Sequence, residues 1–183
     1  MAREYIARDP RTGKALRKSR VKDDSDIRAL LPSSGPWESI PRSEILRLAS
    51  GEVGAIDLPR SVGGGFANRG DGIKALSRVL EDDVNIAHEI LLECLDDDST
   101  SIRTVALESM PSFSLRKHEG LIMCLSDRLM DEAHEVRKEA MISLKKMAPV
   151  FPSGCEHVLR RELRHEDIKP VSYTHLRAHE TRL

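Results

Sequence analysis

Aromatic residues are scarce in this chain of 183 residues, which has one tryptophan, two tyrosines and three phenylalanines. A core without many large rings has to be built from aliphatic side chains and from the six methionines. Such a core suits thin layers of packed helices. The length allows one domain with a tail or two.

Cysteine is scarce as well. Cys94, Cys124 and Cys155 are far apart in the chain, and no Cys-x-x-Cys pair occurs, which excludes the usual structural zinc motifs. Three cysteines in a chain without a signal peptide also indicate a reducing compartment rather than a disulfide framework. We therefore predict free, buried thiols, no metal or other cofactor, no membrane association and a cytoplasmic location.

The net charge of −1 hides an uneven distribution. Residues 1–22 contain eight basic and two acidic residues, whereas residues 71–164 contain thirteen basic and eighteen acidic ones. We predict that residues 1–42 form a basic, largely disordered arm, with the stretch from Pro32 to Pro36 as a linker. The arm is either a tether for nucleic acid or another acidic surface, or a solvated tail that folds back on the acidic body.

Residues 43–70 are interpreted as a connector that begins with a short helix capped by Ser43. The glycine-rich stretch at 63–70 invites comparison with a phosphate-binding loop, which needs a preceding strand and a lysine followed by serine or threonine. Lys74 is followed by Ala75, and no strand-like run leads in. A flexible hinge is therefore predicted.

One segment of helical sequence occurs twice. Residues 98–110 and 132–144 share the order acid, branched aliphatic, arginine, alanine, large apolar, serine, large apolar. The spacing from residue 98 to residue 132 is called the repeat interval below, and a fixed period of this size is typical of stacked repeats. Apolar residues three and four apart predict two amphipathic helices per unit. The same interval separates Leu91, Leu125 and Leu159, which we expect at equivalent interior sites.

Prolines and acidic clusters mark the expected ends of these helices. Pro111 and Pro149 are expected to kink or stop the first helix of each unit, because proline lacks the N–H donor and clashes with the preceding turn. The acidic triplets at 81–83 and 96–98 lie between helices. They predict turns whose carboxylates cap the helix that follows.

The acid-rich turn followed by Ile-Arg or Val-Arg and then Ala-Leu or Ala-Met resembles the HEAT repeat, especially its short bacterial and archaeal form. The resemblance covers about residues 71–168, and Asn68 with Arg69 matches the Ile-Arg pair poorly, so the first unit is interpreted as a divergent cap. It implies an all-α superhelix of stacked helical hairpins over residues 71–169. It also implies a hydrogen-bonded ladder between turn acids and helix arginines of neighbouring units. The ladder residues are Asp97, Asp98 and Arg103 in one unit and Asp131, Glu132 and Arg137 in the next.

The resemblance further implies a non-catalytic scaffold that binds a protein partner on the side built from the second helices. Six residues lie off the apolar stripe of those helices and are candidates for this surface: Glu89, Glu93, Asp127, Arg128, Arg160 and Arg161. Nucleic-acid binding through residues 1–22 is one alternative.

An enzyme is the second alternative, since some HEAT-repeat relatives act as chromophore lyases or as hydroxylases with metal-bound histidines. The metal-dependent chemistry needs His-Glu pairs on successive helices. His88-Glu89 and His118-Glu119 are such pairs on predicted second helices, and their spacing is shorter than the repeat interval. That offset puts them at different depths in the stack, so we predict no catalytic activity and no catalytic residues.

The end of the chain resembles a translated sequencing adapter. Residues 171–181 agree in one frame with a transposase-based library adapter, and Pro170 with Val171 stands where Val136 and Arg137 should recur. We therefore expect residues 170–183 to be non-native. We also expect the chain to be a truncated metagenomic fragment whose natural form continues with further units.

Overall fold

The structure is a computed structural model, and it describes residues 28–113 and 120–162. Most residues in these ranges are helical, and strand is confined to two segments of three residues each. The predicted predominance of helix is confirmed. The basic arm at residues 1–22 and the adapter-like residues 170–183 lie outside the described ranges.

Short connections join the successive helices and strands. The helices of seven or more residues in the described ranges are α1 Arg42–Ser50, α2 Arg69–Ala75, α3 Val84–Leu95, α4 Thr100–Phe113, α5 Gly120–Leu129, α6 His134–Met147 and α7 Pro152–Glu162. Strands β1 Ala55–Asp57 and β2 Phe66–Asn68 lie between α1 and α2. Short 3-10 helices occur at Pro36–Ser39, Arg60–Val62 and Leu76–Arg78.

The connector contains a small β-hairpin that the sequence analysis did not predict. β1 and β2 are antiparallel, with Ile56 opposite Ala67, so the expectation that no strand adjoins the glycines was wrong. The N-terminus of α2 is closed by its own residues: Asn68 Oδ1 accepts from the Asp71 N–H at 3.2 Å, and Asp71 Oδ2 accepts from the Asn68 N–H at 3.0 Å. This capping box places a carboxylate where a phosphate would have to bind.

The helices pack in a regular order. α2, α4 and α6 contact one another in succession, α3 packs on α4, and α5 packs on both α6 and α7. Small residues recur at the repeat interval on these helices: Gly72, Ala106 and Ala140 are all buried. One continuous apolar cluster runs through these layers.

Residues 28–40 belong to the packed body. Trp37 and Ile40 are buried in the apolar cluster, and Arg78 Nη1 donates to the carbonyl oxygens of Trp37 at 2.9 Å and of Ile40 at 2.8 Å. The prediction of a linker between Pro32 and Pro36 was therefore wrong. The local sequence is rich in turn residues, but contacts with distant helices decide its position.

The two prolines behave differently from each other. α4 continues through Pro111 to Phe113, so of the two expected effects, a kink or a stop, Pro111 does not cause the stop. α6 ends at Met147, just before Pro149, as predicted.

The predicted equivalence of three leucines holds for two of them. Leu91 and Leu125 are fully buried, whereas Leu159 is 41% exposed. α3 is covered by α4, and α5 is covered by α6 and α7. α7 is the last helix that the structure describes, so nothing within residues 28–113 and 120–162 follows it to cover Leu159.

Candidate functional site

Two arginine–aspartate pairs recur at the interval of the sequence repeat. Arg69 Nη1 donates to Asp97 Oδ2 at 2.8 Å. Arg103 donates twice to Asp131, from Nε to Oδ2 and from Nη2 to Oδ1, both at 3.0 Å. In each pair the aspartate follows the arginine by 28 residues. The same bond therefore links the start of α2 to the turn before α4 and the start of α4 to the turn before α6.

Each arginine of the two matched units also binds the turn that precedes its own helix. Arg103 Nη1 donates to the carbonyl oxygens of Asp97 at 2.8 Å and Asp98 at 3.1 Å. Arg137 Nη1 repeats this with the carbonyl oxygens of Asp131 at 2.7 Å and Glu132 at 2.8 Å. The guanidinium of Arg103 thus binds the turn before α4 through Nη1 and the turn before α6 through Nε and Nη2.

The turn aspartates are fixed from both sides. Asp97 Oδ1 accepts from the Ser99 N–H at 2.8 Å, and Asp131 Oδ1 accepts from the Ala133 N–H at 2.9 Å. Each carboxylate therefore stabilises the turn before a helix, as an Asx turn does, and also holds the arginine of the preceding layer.

Burial and charge make the Arg103–Asp131 pair the stronger of the two. The side chains of Arg103 and Asp131 are 7% and 4% exposed, and their bidentate geometry suits a guanidinium and a carboxylate. The hydrogen bond to Asp131 raises the pKa of Arg103. Burial alone would raise the pKa of Asp131, but bonds from Arg103 and the Ala133 N–H outweigh it and lower that pKa. The Ser99 N–H, together with Arg69, lowers the pKa of Asp97 despite its burial.

The other ladder candidates differ from these pairs. Asp98 enters the described bonds only through its backbone carbonyl. Glu132 is 90% exposed and lies 3.8 Å from Arg103, which is a weak ion pair. Arg137 forms carbonyl bonds but no ion pair within the described ranges.

Arg69 is the ladder residue that the sequence analysis missed. It precedes Arg103 by the repeat interval, and its Nε donates to the Ala49 carbonyl oxygen at 3.2 Å, at the end of α1. Counting back from Arg103 places it in the register of the ladder arginines, although its neighbours Asn68 and Gly70 do not match the repeat. The interpretation of the first unit as a divergent cap left Arg69 out of the predicted ladder.

Most of the predicted partner surface is exposed. Glu89, Glu93, Asp127, Arg160 and Arg161 lie wholly or partly at the surface. Arg128 differs, because its side chain is 20% exposed and donates to Asp96 at 2.6 Å and Asp131 at 3.4 Å. Arg128 therefore belongs to the structural network of the turns and is not a free surface residue.

The surface positions of the second helices form two rows at the repeat interval. One row contains Glu89, Met123 and His157, and the other contains Glu93, Asp127 and Arg161, on α3, α5 and α7 respectively. Asp127 and Arg161 lie 3.5 Å apart and connect α5 to α7. Both rows begin with a glutamate on α3, and they end with a histidine and an arginine, respectively, on α7.

The cysteines are free thiols, as predicted, with Cys94 and Cys155 buried and Cys124 partly buried. Burial is the main cause that raises the pKa of all three thiols, so each stays protonated at neutral pH. No group of three or more metal-binding side chains occurs within residues 28–113 and 120–162. Of the candidate pairs His88-Glu89 and His118-Glu119, the second lies outside the described ranges.

A cavity of about 600 Å³ lies between residues 28–38 and α4. Its wall includes Glu108, which accepts from the Ser33 N–H at 3.0 Å and from the Ser33 hydroxyl at 2.6 Å. Lys74 Nζ lies 2.9 Å from Glu108 Oε2. These bonds, which lower the pKa of Glu108 against the opposing effect of burial, anchor the N-terminal segment on α4.

Comparisons with protein-family models, curated proteins and solved structures found no match for this chain. Among the helices that the structure describes, none combines the length and the apolar character needed to cross a membrane. The fold and the ladder define a mostly helical protein whose layers are tied together at the repeat interval.

Proposed function

We propose that this protein is a non-catalytic scaffold of HEAT-like repeats whose helices coil into an α-α superhelix and bind a protein partner. The repeated arginine–aspartate bonds support the repeat architecture, because two layers pair the same two residue types at the same separation. A stack of this kind offers an extended surface built from equivalent positions of successive units.

The two surface rows on α3, α5 and α7 are the observation that carries the proposed binding function. Equivalent positions stay at the surface in three successive units, while their neighbours Leu91 and Leu125 are buried. Glu89 and Glu93 form no ion pair within the described residues, and the nearby Ile86 is 48% exposed. An apolar side chain beside two such carboxylates suits a partner surface that is apolar and basic.

The change of charge along the rows predicts the orientation of the partner. A segment with basic residues at one end and acidic residues at the other would place its basic end on α3 and its acidic end beside Arg161 on α7. Complementary charges of this kind accelerate association and select partners more than they add affinity. The reverse orientation would bring like charges together.

Affinity capture with the full chain as bait tests this proposal. Glu89→Lys combined with Glu93→Lys reverses the acidic end of the rows, and Glu135→Lys, at an exposed position of α6 outside the rows, is the matched control. We expect a partner, identified by mass spectrometry, that the chain and the control retain and the double variant loses. A protein set that is identical for all three baits, or no retained protein, would reject the proposed surface.

Nucleic-acid binding through residues 1–22 is a second proposal, supported by the excess of six positive charges in that segment. Phosphate contacts by such a segment release counterions, so affinity should fall steeply with salt. We expect a fluorescently labelled DNA duplex to bind the full chain with a steep salt dependence that is lost on deletion of residues 1–22. Equal binding by the two proteins would rule out this role of the arm.

A further inference from the structure

The cavity beside the N-terminal segment is lined by three basic side chains that come from different parts of the chain. Arg28 lies in that segment, Arg78 in the 3-10 helix Leu76–Arg78, and Lys146 on α6. Among the ion pairs that join residues of the described ranges, none includes any of the three. Like charges repel one another, so their convergence on one cavity costs free energy unless an anion binds there.

The repeat explains why two of these side chains face the same cavity. Lys146 stands two repeat intervals after Arg78, and Ser112 on α4 stands between them, one interval from each. Equivalent positions of stacked layers lie on the same side of the stack. Ser112 is buried and donates its hydroxyl to the Ser109 carbonyl oxygen at 2.6 Å, so the middle layer adds no charge.

Arg78 is held in place but keeps donors for a ligand. Its Nη1 donates to the carbonyl oxygens of Trp37 at 2.9 Å and of Ile40 at 2.8 Å, which fixes the guanidinium at the cavity wall. Its Nε and Nη2 donate to no acceptor within residues 28–113 and 120–162. Burial, together with the charge of Arg42, lowers the pKa of Arg78, although Glu38 opposes the shift. A bound anion would stabilise the charged guanidinium.

The carboxylates in the cavity wall do not neutralise these cations. Glu108 is paired with Lys74 at 2.9 Å and accepts both hydrogen bonds from Ser33. Glu38 is the other carboxylate among the residues that line the cavity, so three positive charges face one remaining negative charge. A phosphate monoester carries close to two negative charges at neutral pH and would balance the difference.

The segment that precedes Arg28 carries an excess of positive charge. Residues 1–27 contain eight basic and five acidic residues, so the basic residues of this segment already outnumber its carboxylates. Charge complementarity therefore favours an anion that does not belong to this chain.

We propose that this cavity binds a small phosphorylated molecule, with its phosphate group between Arg28, Arg78 and Lys146. Guanidinium and ammonium groups donate charge-assisted hydrogen bonds to phosphate oxygens, and the planar fork of arginine fits two of these oxygens at once. Ser34 also lines the cavity, and its hydroxyl supplies a further donor.

The cavity has room for more than a phosphate group. Its volume of about 600 Å³ lies within the usual range of small-molecule sites. Leu31 and Pro32 in the wall provide an apolar surface for the rest of the molecule. The site shares no residue with the two surface rows on α3, α5 and α7, so either proposal can fail without the other.

Isothermal titration calorimetry of the full chain with pyrophosphate and with inorganic phosphate tests the proposal. Citrate, at the same ionic strength because salt screens charges, is the control for an anion without phosphate. Trp37 lines the cavity and is the only tryptophan of the chain, so a change in its fluorescence reports binding independently.

Lys146→Gln removes one of the three cations, and Lys145→Gln is the matched control, since Lys145 is exposed on the same helix and outside the cavity wall. We expect saturable binding of one pyrophosphate per chain. Lys146→Gln should weaken it about tenfold, because one charge-assisted hydrogen bond is lost, and Lys145→Gln should leave it unchanged. Arg28→Gln, on a different element, should weaken binding by a similar factor. Thermal unfolding checks that the variants keep the fold.

Three results would overturn the proposal. The first is absent binding of both phosphate compounds, or binding that Lys146→Gln leaves unchanged or Lys145→Gln weakens equally. The second is citrate binding as tight as pyrophosphate binding, since the site would then be one for carboxylates. The third is pyrophosphate binding that appears only in the full chain with Asp23→Asn, Asp24→Asn and Asp26→Asn combined, because the chain's own carboxylates would then occupy the cavity.

Discussion

Ser143 donates its hydroxyl to the carbonyl oxygen of Leu107 across 2.6 Å, in a buried contact between α6 and α4. In a regular helix this carbonyl accepts from the N–H four residues later, but residue 111 is a proline and has no N–H. Ser143 on the neighbouring helix α6 thus supplies the Leu107 carbonyl oxygen with the donor that Pro111 lacks. This bond explains how α4 continues through a proline inside the core.

Ser143→Ala should therefore destabilise the protein by about 1 to 3 kcal/mol, the usual effect of leaving a buried acceptor without a donor. In a Pro111→Ala background the same substitution should cost clearly less, because the new alanine supplies an N–H that can bind the Leu107 carbonyl. Urea unfolding followed by the fluorescence of Trp37, the only tryptophan of the chain, measures both. An equal cost in the two backgrounds would contradict the proposed role of Ser143.

Gly72→Ala should also destabilise the fold, by about 1 to 3 kcal/mol, the usual range for overpacking. A Cβ atom at Gly72 would lie 2.7 Å from the Ala49 nitrogen and 3.0 Å from the Leu48 carbonyl carbon, and backbone atoms cannot move aside as a flexible side chain can. Gly54→Ala is the control, because its Cβ would meet no atom within 4 Å. Chemical denaturation should show a lower free energy of unfolding for Gly72→Ala than for Gly54→Ala.

Stability should fall on acidification through protonation of the ladder aspartates. The pKa of Asp131 and that of Asp97 are lowered in the folded protein. Their contribution is therefore fully present above the ordinary aspartate pKa and is lost as the pH falls through the lowered values. Asp131→Asn should cost about 3 to 5 kcal/mol at neutral pH, since it leaves the buried Arg103 without its counterion, and should flatten the acid dependence.

The control for that experiment is Glu132→Gln, which changes the neighbouring and almost fully exposed carboxylate. We expect the urea midpoint of the control to change with pH, from neutral to acidic, in the same way as that of the unsubstituted chain. An Asp131→Asn variant with the same pH dependence as the control would contradict the assignment.

Glu139→Gln should have the opposite effect at neutral pH. Burial, with the nearby Glu108 adding to it, raises the pKa of Glu139, although Lys146 opposes the shift. The folded state therefore binds this proton more tightly than the unfolded state, and the ionised carboxylate costs stability once the pH exceeds the raised pKa. Replacement should raise the Tm by roughly 1 to 4 °C at neutral pH.

The gain from Glu139→Gln should disappear at acidic pH, where Glu139 itself is protonated. Glu135→Gln, at an exposed position of the same helix, should leave the Tm nearly unchanged. Differential scanning calorimetry at the two pH values gives the comparison, and a gain that persists in acid would contradict the assigned cause.

The ladder shows how far sequence reasoning reaches in this chain. The interval and the acidic turns are visible in the sequence, because each layer repeats the same local pattern. Arg69 was left out of the predicted ladder because its neighbours depart from the pattern, with Asn68 capping α2 and Gly70 following Arg69. A register count identifies such a residue where similarity of neighbours does not.

The N-terminal segment and the hairpin could not be predicted in the same way. Strands of three residues are too short to show an alternating pattern. The position of Trp37 depends on Arg78, which is 41 residues away, and that of Ser33 depends on Glu108, which is 75 residues away. Neither contact has a signal in the local sequence.

The sequence did not predict the exposure of Leu159 for a different reason. Register alone predicts the same environment for Leu91, Leu125 and Leu159, but burial also requires a layer on the far side. Within residues 28–113 and 120–162 the structure has such a layer for the first two and none for the third.

Double-mutant cycles on the ladder test the repeat architecture most directly. Arg→Gln and Asp→Asn substitutions at Arg69, Asp97, Arg103 and Asp131 remove the charge and keep a polar side chain, and urea unfolding gives the coupling free energies. We predict couplings of about 1 to 3 kcal/mol for Arg69 with Asp97 and for Arg103 with Asp131, and close to zero for Arg69 with Asp131. Coupling of Arg69 to Asp131, or none within the two pairs, would contradict the repeat.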